Sequence, residues 1–498
     1  MKLQAILDAV ERAGNRLPNP AMLFVYLCMI VLVVSALCAA LSVQALHPIT
    51  GETLNAVNLL SVAGLHRILT ETVTNFTSFA PVGSVLVAVM GVGIAEHSGL
   101  LATLLRVTIL NLPRQLLSFG VVFAGVMSSM AMDTGYVVLI PLAGLMFASV
   151  GRNPVAGIAA AFAGVSGGFS ANLFITPLDA ILSGISTEAA ALVQPQYQVS
   201  AAGNYYFMAV STVLLAILGT WITEKFISKR LPDPEIKPAA LEAVSALDKK
   251  GLKGVALLTI VFVALLLEGL VPSAGILRDP QTGGVLTSPF IKGIVTVIAL
   301  YAALAGIVFG RLSGRYQRTS DFVEGMEKHM AAMAAYLVLM FFAAQFVSYF
   351  SWSNLGSILA INGASLLELL QMNSIVLMLA FILLVAFLDL FIGSASGKWA
   401  LIAPVFVPMF LLTGISPEAT QVAYRIGDST SNIISPLMPY FGMVVAFARQ
   451  HDRNAGIGTI IAMMLPYSIG FIIVWAGLLT LWILSGWPLG PGAPVYVP

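Results

Sequence analysis

The sequence predicts an all-α polytopic membrane protein, with nine transmembrane helices and two re-entrant hairpins arranged as an inverted-topology repeat. Three observations predict it. Of 498 residues 58% are hydrophobic and only 9% charged, against about 25% charged in an ordinary globular domain. Nearly all the basic residues fall on one side of an alternating thread of apolar runs. One interrupted apolar segment in the first half recurs at a constant offset in the second. The charge scarcity alone excludes a cytosolic enzyme, and a formal net charge of +1 offers no bulk attraction to nucleic acid.

In chain order, residues 1–20 read as an amphipathic start carrying Lys2, Arg12 and Arg16. The run 21–44 lacks a small-residue cleavage site, so it reads as a retained span and not a signal peptide. Both cysteines, Cys28 and Cys38, fall inside it. Ten residues of helix separate them by roughly 15 Å, beyond disulfide reach, so they imply neither redox chemistry nor a metal. Runs long enough to cross a bilayer follow at 78–95, 155–183, 205–223, 255–271, 289–310, 333–350, 419–448 and 457–485.

Threading the spans from a cytoplasmic N-terminus to a periplasmic C-terminus places 19 of the 24 Lys and Arg inside and three, Arg67, Arg278 and Lys292, outside. That is the bias of the positive-inside rule. The two left over, Lys398 and Arg425, sit in apolar surroundings. The chain then divides into a first repeat over 21–223 with a hairpin at 116–150, a cytoplasmic basic loop at 224–254, a linking helix at 255–271, and a second repeat over 289–486 with a hairpin at 374–413.

The hairpins are read from short apolar arms around polar tips, AMDTGY (131–136) and GSASGKW (393–399). Their second arms, 136–150 and 399–413, reach only about 22 Å as helix, short of a roughly 30 Å hydrocarbon core. An offset of 263 puts Tyr136 on Trp399, Pro141 on Pro404, Gly151 on Gly414, Pro154 on Pro417, Gly164 on Gly427 and Ser166 on Ser429. Inverted repeats with hairpins or broken helices mark secondary transporters, whose site lies near midplane at the repeat interface. No phosphate-binding Gly-x4-Gly-Lys-Ser/Thr motif is present to bring ATP into play.

The ionisable residues within the membrane are Asp133, Asp179, Asp389, Lys398, Arg425 and Asp428, with Glu96 and His97 at a helix end. Each costs several kcal/mol, order of magnitude, unless paired or hydrated, which makes each a functional candidate. In RIGDSTSNIISP (425–436), Arg425, Asp428, Ser429, Asn432 and Pro436 share one helical face. Pro436 cannot donate to the carbonyl of Asn432, so the helix breaks there and frees an oxygen. A free carbonyl beside a carboxylate, a hydroxyl and an amide suits Na⁺ or a polar substrate. The matching stretch 164–179 offers Ser166, Ser170, Asn172, Pro177 and Asp179 but no base, so only Arg425 suits an anionic group.

Blander readings stand beside these. Arg425 and Asp428 also make an i, i+3 structural pair, Asp389 also reads as a cap of its hairpin arm, and Asp133 as a helix N-cap. Tyr136 and Trp399 are either packing aromatics or, being equivalent, a platform for an aromatic substrate. Lys398 reads as snorkelling from a hairpin end and is left outside the site. Asn75-Phe-Thr matches the glycosylation pattern only weakly.

GSASGKWALIAPVFVPMF (393–410), RIGDSTSNIISPLMPYF (425–441), residues 150–190 and GILRDPQTGGVLTSPFIKGI (275–294) closely resemble the p-aminobenzoyl-glutamate transporter (AbgT) family over essentially the whole chain. The resemblance implies a homodimeric bacterial inner-membrane protein with nine spans and two hairpins per subunit. It further implies uptake of p-aminobenzoyl-glutamate, or efflux of sulfonamide antimetabolites, coupled to an ion gradient. The Lys-Trp pair and the DSTSN stretch are more similar to the export members than to the importer. By motif, the family's functional positions correspond to Asp179, Ser396, Trp399, Pro417, Arg425, Asp428 and Pro436.

The resulting expectation is an elevator-like transporter of aromatic anions, with no cofactor beyond Na⁺ or H⁺ as coupling ion. Asp179, Asn172, Ser396, Trp399, Pro417, Arg425, Asp428, Asn432 and Pro436 are assigned to substrate. Asp389, Asp428 and Ser429 are assigned to the coupling ion, Na⁺ being a candidate at Asp389 and Asp428. One departure stands out, since Asp389 takes the place of Asn in a relative thought to bind Na⁺. The alternatives are an importer without drug efflux, a passive channel, and an intramembrane aspartate hydrolase, against which the repeat argues.

Overall fold

The computed structural model describes residues 20–46, 51–110, 113–131, 135–231, 244–272, 274–285, 288–435, 438, 440–453 and 455–497. The amphipathic start with Lys2, Arg12 and Arg16, the tip residue Asp133, and Pro436 lie outside the described residues. The first half comprises α1 (Pro20–Ala40), α2 (Val62–Thr77), α3 (Ala80–His97), α4 (Leu100–Leu110), α5 (Leu117–Met127), α6 (Ile140–Ser149), α7 (Pro154–Phe162), α8 (Pro177–Ala190) and α9 (Tyr205–Ile222). The second comprises α10 (Ala246–Leu270), α11 (Ile294–Leu312), α12 (Ser320–Ala332), α13 (Ala334–Trp352), α14 (Leu355–Leu369), α15 (Ser374–Asp389), α16 (Ala395–Leu412), α17 (Pro417–Asn432), α18 (Phe441–Arg449) and α19 (Ile457–Ser485). A two-stranded antiparallel ribbon, β1 (Gln44–Leu46) and β2 (Thr53–Asn55), follows α1.

Among the described residues eight helical runs are long and apolar enough to cross a membrane, where nine spans were expected. Seven answer to expected spans. The expected spans 155–183 and 419–448 are instead each broken in the middle. The first stops being α-helical after Phe162, passes through a π-turn at Ala163–Gly167, and restarts at Pro177. At the break stands Gly168, where a Cβ would lie 2.5 Å from Val126 and 2.8 Å from the Gly164 carbonyl, so no larger residue fits. The second ends at Asn432 and resumes at Phe441. The eighth run is α16, which begins four residues before the expected arm 399–413 and gains a full turn. The expected loop 224–254 is also shorter, because helical backbone runs to Arg230 and α10 starts at Ala246.

The offset of 263 recurs in local geometry. Gly151 and Gly414 both end a helical arm with positive φ, +74° and +85°, the conformation that favours glycine at a helix C-terminus. Pro154 and Pro417 then each open a helix behind a side-chain cap, Asn153 onto the Val155 amide and Ser416 onto the Ala419 amide, where a proline's missing N–H costs nothing. Gly164 and Gly427 are close-approach points. A Cβ on Gly164 would lie 2.4 Å from the Val122 carbonyl, and one on Gly427 2.7 Å from the Cβ of Val385. Val122 and Val385 are themselves 263 residues apart.

The broken helices form the interior. Every residue of α17 is buried although it reads PEATQVAYRIGDSTSN, and it packs on α15, α19, α16 and α8. By contrast α10 turns Leu257, Ile260 and Leu265 outward, as a lipid-facing helix does. A polar helix enclosed on all sides needs a compensating partner for each polar group, and those partners make up the site.

Candidate functional site

A cavity of about 190 Å³ opens where the two interrupted segments meet the two broken helices. The first interruption contributes Ser129 and Tyr136, the first broken helix Phe169, Pro177 and Leu178, the second interruption Gly393 and Ala395, and the second broken helix Asn432, Met438 and Tyr440. Tyr136 and Tyr440 stack at 4.4 Å with planes 14° apart. Two helices start at this cavity wall, α8 at Pro177 and α16 at Ala395. Their N-terminal dipole ends direct positive potential at it, which compensates for the absence of a basic side chain among its lining residues.

Two turns along α17 from Asn432 lies the first ion cluster. The Arg425 Nη1 donates to Asp179 Oδ1 at 2.6 Å, and Nη2 donates to the Ser170 carbonyl at 2.7 Å. Asp179 in turn accepts from the amide and hydroxyl of Thr176 at 2.6 and 2.7 Å through Oδ2, a capping arrangement that starts α8. Beside them Asn204 accepts from Gln421 at 2.8 Å and donates to the Glu418 carbonyl at 3.0 Å. The blander alternative, an i, i+3 pair of Arg425 with Asp428, is therefore not what forms. Arg425 already has Asp179 as its anion, and only its Nε is left without a partner among the described residues.

The second cluster holds Lys398, Asp389 and Asp428. The Lys398 ammonium contacts Asp389 Oδ1 and lies 2.8 Å from Asp428 Oδ1, with all three side chains at most 1% exposed. The Tyr424 hydroxyl donates to Asp428 at 3.1 Å and to the Ala395 carbonyl. The outer oxygens, Asp389 Oδ2 and Asp428 Oδ2, are buried without a hydrogen-bond partner among the described residues.

Leaving Lys398 out of the site is thus a correction. A lysine at a tip would reach water, but the early start of α16 places Lys398 inside its first turn. Helical side chains lean toward the N-terminus, here toward the end of α15 that carries Asp389. Its signal was in the sequence all along, as one of two bases unaccounted for by topology.

Trp399 does not face the cavity. It is fully buried, donates through Nε1 to Ser186 Oγ at 3.1 Å and to the Leu182 carbonyl at 3.2 Å, and packs on Tyr424 at 4.5 Å. Its sequence equivalent Tyr136 is the one that lines the cavity. Asn172 braces the cavity from behind, donating to Ser129 Oγ at 3.0 Å and the Met127 carbonyl at 3.2 Å. Ser429 joins the two broken helices by accepting the Ser170 amide at 3.2 Å. Ser396 lies in the first turn of α16 and Pro417 opens α17. Asn204, Gln421, Phe169 and Tyr440 escaped sequence reasoning, since nothing in their spacing distinguishes them from ordinary membrane-helix residues.

Eight helical runs long and apolar enough to cross a membrane among the described residues, two helices broken at a common cavity, and two buried ion clusters beside it define a polytopic membrane transporter. Residues 5–497 match the family described as "AbgT putative transporter family", and the chain belongs to that family. The chain is 39% identical over 484 residues to the p-aminobenzoyl-glutamate transport protein of Escherichia coli K12, covering 97% of this chain and 95% of that one. It superposes on the crystal structure of the YdaH transporter of Alcanivorax borkumensis with a TM-score of 0.92 at 50% identity, covering 95% of this chain and all of that one. It also matches Neisseria gonorrhoeae MtrF, whose structure is described as illuminating a class of antimetabolite efflux pumps, with a TM-score of 0.93 at 45% identity, covering 98% of this chain and 100% of that one.

Proposed function

We propose that this chain is an ion-coupled secondary transporter of p-aminobenzoyl-glutamate and related aromatic carboxylates or sulfonamide antimetabolites. The observation that carries the proposal is the cavity at the meeting of the two interruptions and the two broken helices. Its aromatic walls, Tyr136, Tyr440 and Phe169, suit an aromatic ring. Asn432 and the starts of α8 and α16 suit a carboxylate or sulfonamide. In the fuller reading, segments 116–150 and 374–413 are re-entrant hairpins of an inverted repeat. They move with the broken helices, elevator-like, against the remaining helices of a homodimer in the bacterial inner membrane, with the N-terminus cytoplasmic and the C-terminus periplasmic. Asp389 and Asp428 are the carboxylates through which the ion gradient acts.

The test is counterflow in proteoliposomes preloaded with unlabelled substrate. The expected result is transient accumulation of labelled p-aminobenzoyl-glutamate and of a labelled sulfonamide, saturable and strongly reduced by Asn432→Ala. Exchange of the former alone selects the importer reading, suggested by the kinship with the E. coli protein. Non-saturable flux of either selects a channel and overturns the proposal.

A further inference from the structure

The geometry points to Lys398 as a tethered resident cation of the coupling site, holding the position between Asp389 and Asp428 that Na⁺ would need. The inference rests on the reading of these two carboxylates as the coupling pair and specifies which cation they hold. Three observations on different groups carry it. The Lys398 ammonium reaches one oxygen of each carboxylate. Those two oxygens are the ones a shared cation would bridge, since the Tyr424 hydroxyl and the Ser435 hydroxyl fix the surrounding shell by bonding to Asp428 Oδ1 at 3.1 Å and the Asp389 carbonyl at 3.1 Å.

The donor set also differs from what a cation nest requires. A hard cation is satisfied by several converging oxygens, yet here the space between the carboxylates is filled by a nitrogen carrying three donors and no acceptor. The ammonium is held from both sides of a short connection, because Asp389 ends α15 and Lys398 sits in the first turn of α16. It cannot leave without the two arms parting. The residues present therefore do not fit a bound Na⁺, and the sequence expectation of Na⁺ at Asp389 and Asp428 is not met by this arrangement.

The consequence is selectivity. With the cation covalently supplied, the site has no use for Na⁺, and transport does not depend on it. Removing the ammonium leaves two buried carboxylates with no counter-charge, an arrangement that free Na⁺ would then stabilise.

Thermal unfolding of the purified full-length protein, read by loss of the monodisperse peak in detergent, tests this without any transport substrate. NaCl is titrated against choline chloride at constant ionic strength. The wild type is expected to melt at the same temperature in both salts. Lys398→Ala is expected to be raised by Na⁺ along a saturating curve, since a ligand that binds only the folded state stabilises it by mass action. Lys398→Gln, which keeps a polar side chain one atom shorter and removes the charge, is expected to behave alike and serves if the alanine variant does not purify. A saturating Na⁺ shift in the wild type overturns the inference, as does a purified Lys398 variant indifferent to Na⁺ or the failure of both variants to fold even in Na⁺. Because no substrate enters, failure here leaves the counterflow result standing, and failed counterflow leaves this result standing.

Discussion

The two ion clusters on α17 are separated by three residues, about 4.5 Å of helix, and are built to opposite rules. Arg425 and Asp179 form a one-to-one pair between the second and first halves of the chain, with both oxygens of Asp179 engaged. Lys398, Asp389 and Asp428 form a one-to-two cluster wholly within the second half, with an unpartnered outer oxygen on each carboxylate. A charge-balanced pair whose carboxylate is fully engaged can only be broken, and it latches the two broken helices together, with only the Arg425 Nε left buried without a partner among the described residues. An unbalanced cluster whose inner position is filled by Lys398 still has an outer carboxylate oxygen free to take up a proton. The same kind of substitution is therefore expected to have opposite results at the two places.

The largest effect is expected at the latch. Asp179→Asn removes the counter-charge of a buried guanidinium and should lower stability by about 3–5 kcal/mol, the scale for a buried pair losing one partner. A sharp loss of thermal stability and yield in detergent is the expected readout. Asp389→Asn takes one charge from the crowded cluster and leaves Lys398 paired with Asp428, so stability should hold or rise. Equal losses at both positions would break the comparison.

The next effect concerns the crossings that hold α17 and its counterpart in place. Gly427→Ala drives a Cβ to 2.6 Å from the Ile382 carbonyl, and Gly164→Ala one to 2.4 Å from the Val122 carbonyl. Overpacking of this kind costs about 1–3 kcal/mol. The two variants should melt lower by similar amounts, and tolerance at one alone would sharpen the asymmetry between the halves.

The smallest effect lies at the periphery, where His329 of α12 bonds through Nε2 to Glu96 Oε2 at 3.0 Å. That hydrogen bond raises the histidine above its ordinary value of 6.5, with burial opposing. The folded state thus holds the proton more tightly than the unfolded chain. The pair's contribution, on the order of 0.2–1 kcal/mol for a partly exposed pair, is full below about pH 6.5 and lost as pH rises through the raised value. Melting curves from pH 6 to 8 should show a small decline in the wild type that Glu96→Gln abolishes. The clusters inside the fold should be indifferent to salt where this pair is not.

Much of this was legible in the sequence, for physical reasons. Charge scarcity and the placement of bases are strong signals in a bilayer, and α1, α9, α11, α13 and α19 lie close to the expected spans. The offset of 263 was readable because Gly151, Gly414, Pro154 and Pro417 each answer to a backbone requirement that few other residues meet. The break at 168–176 was not readable, because apolarity through 155–183 hides a loss of helical hydrogen bonding. Partner choice was not readable either. Arg425 and Asp428 share a helical face, but Asp179 and Lys398 arrive from other helices and outcompete the local pairing. That competition depends on packing that no spacing rule contains.

The account's central claim is that the unbalanced cluster couples transport while the balanced pair holds the fold. It is tested most directly by Asp389→Asn in proteoliposomes, with counterflow and uncoupler-sensitive accumulation of p-aminobenzoyl-glutamate measured on the same preparation. The account predicts that counterflow persists, because the cavity and the Arg425–Asp179 latch are untouched, while gradient-driven accumulation falls at least tenfold. Accumulation at the wild-type level with the same sensitivity to the uncoupler would contradict it.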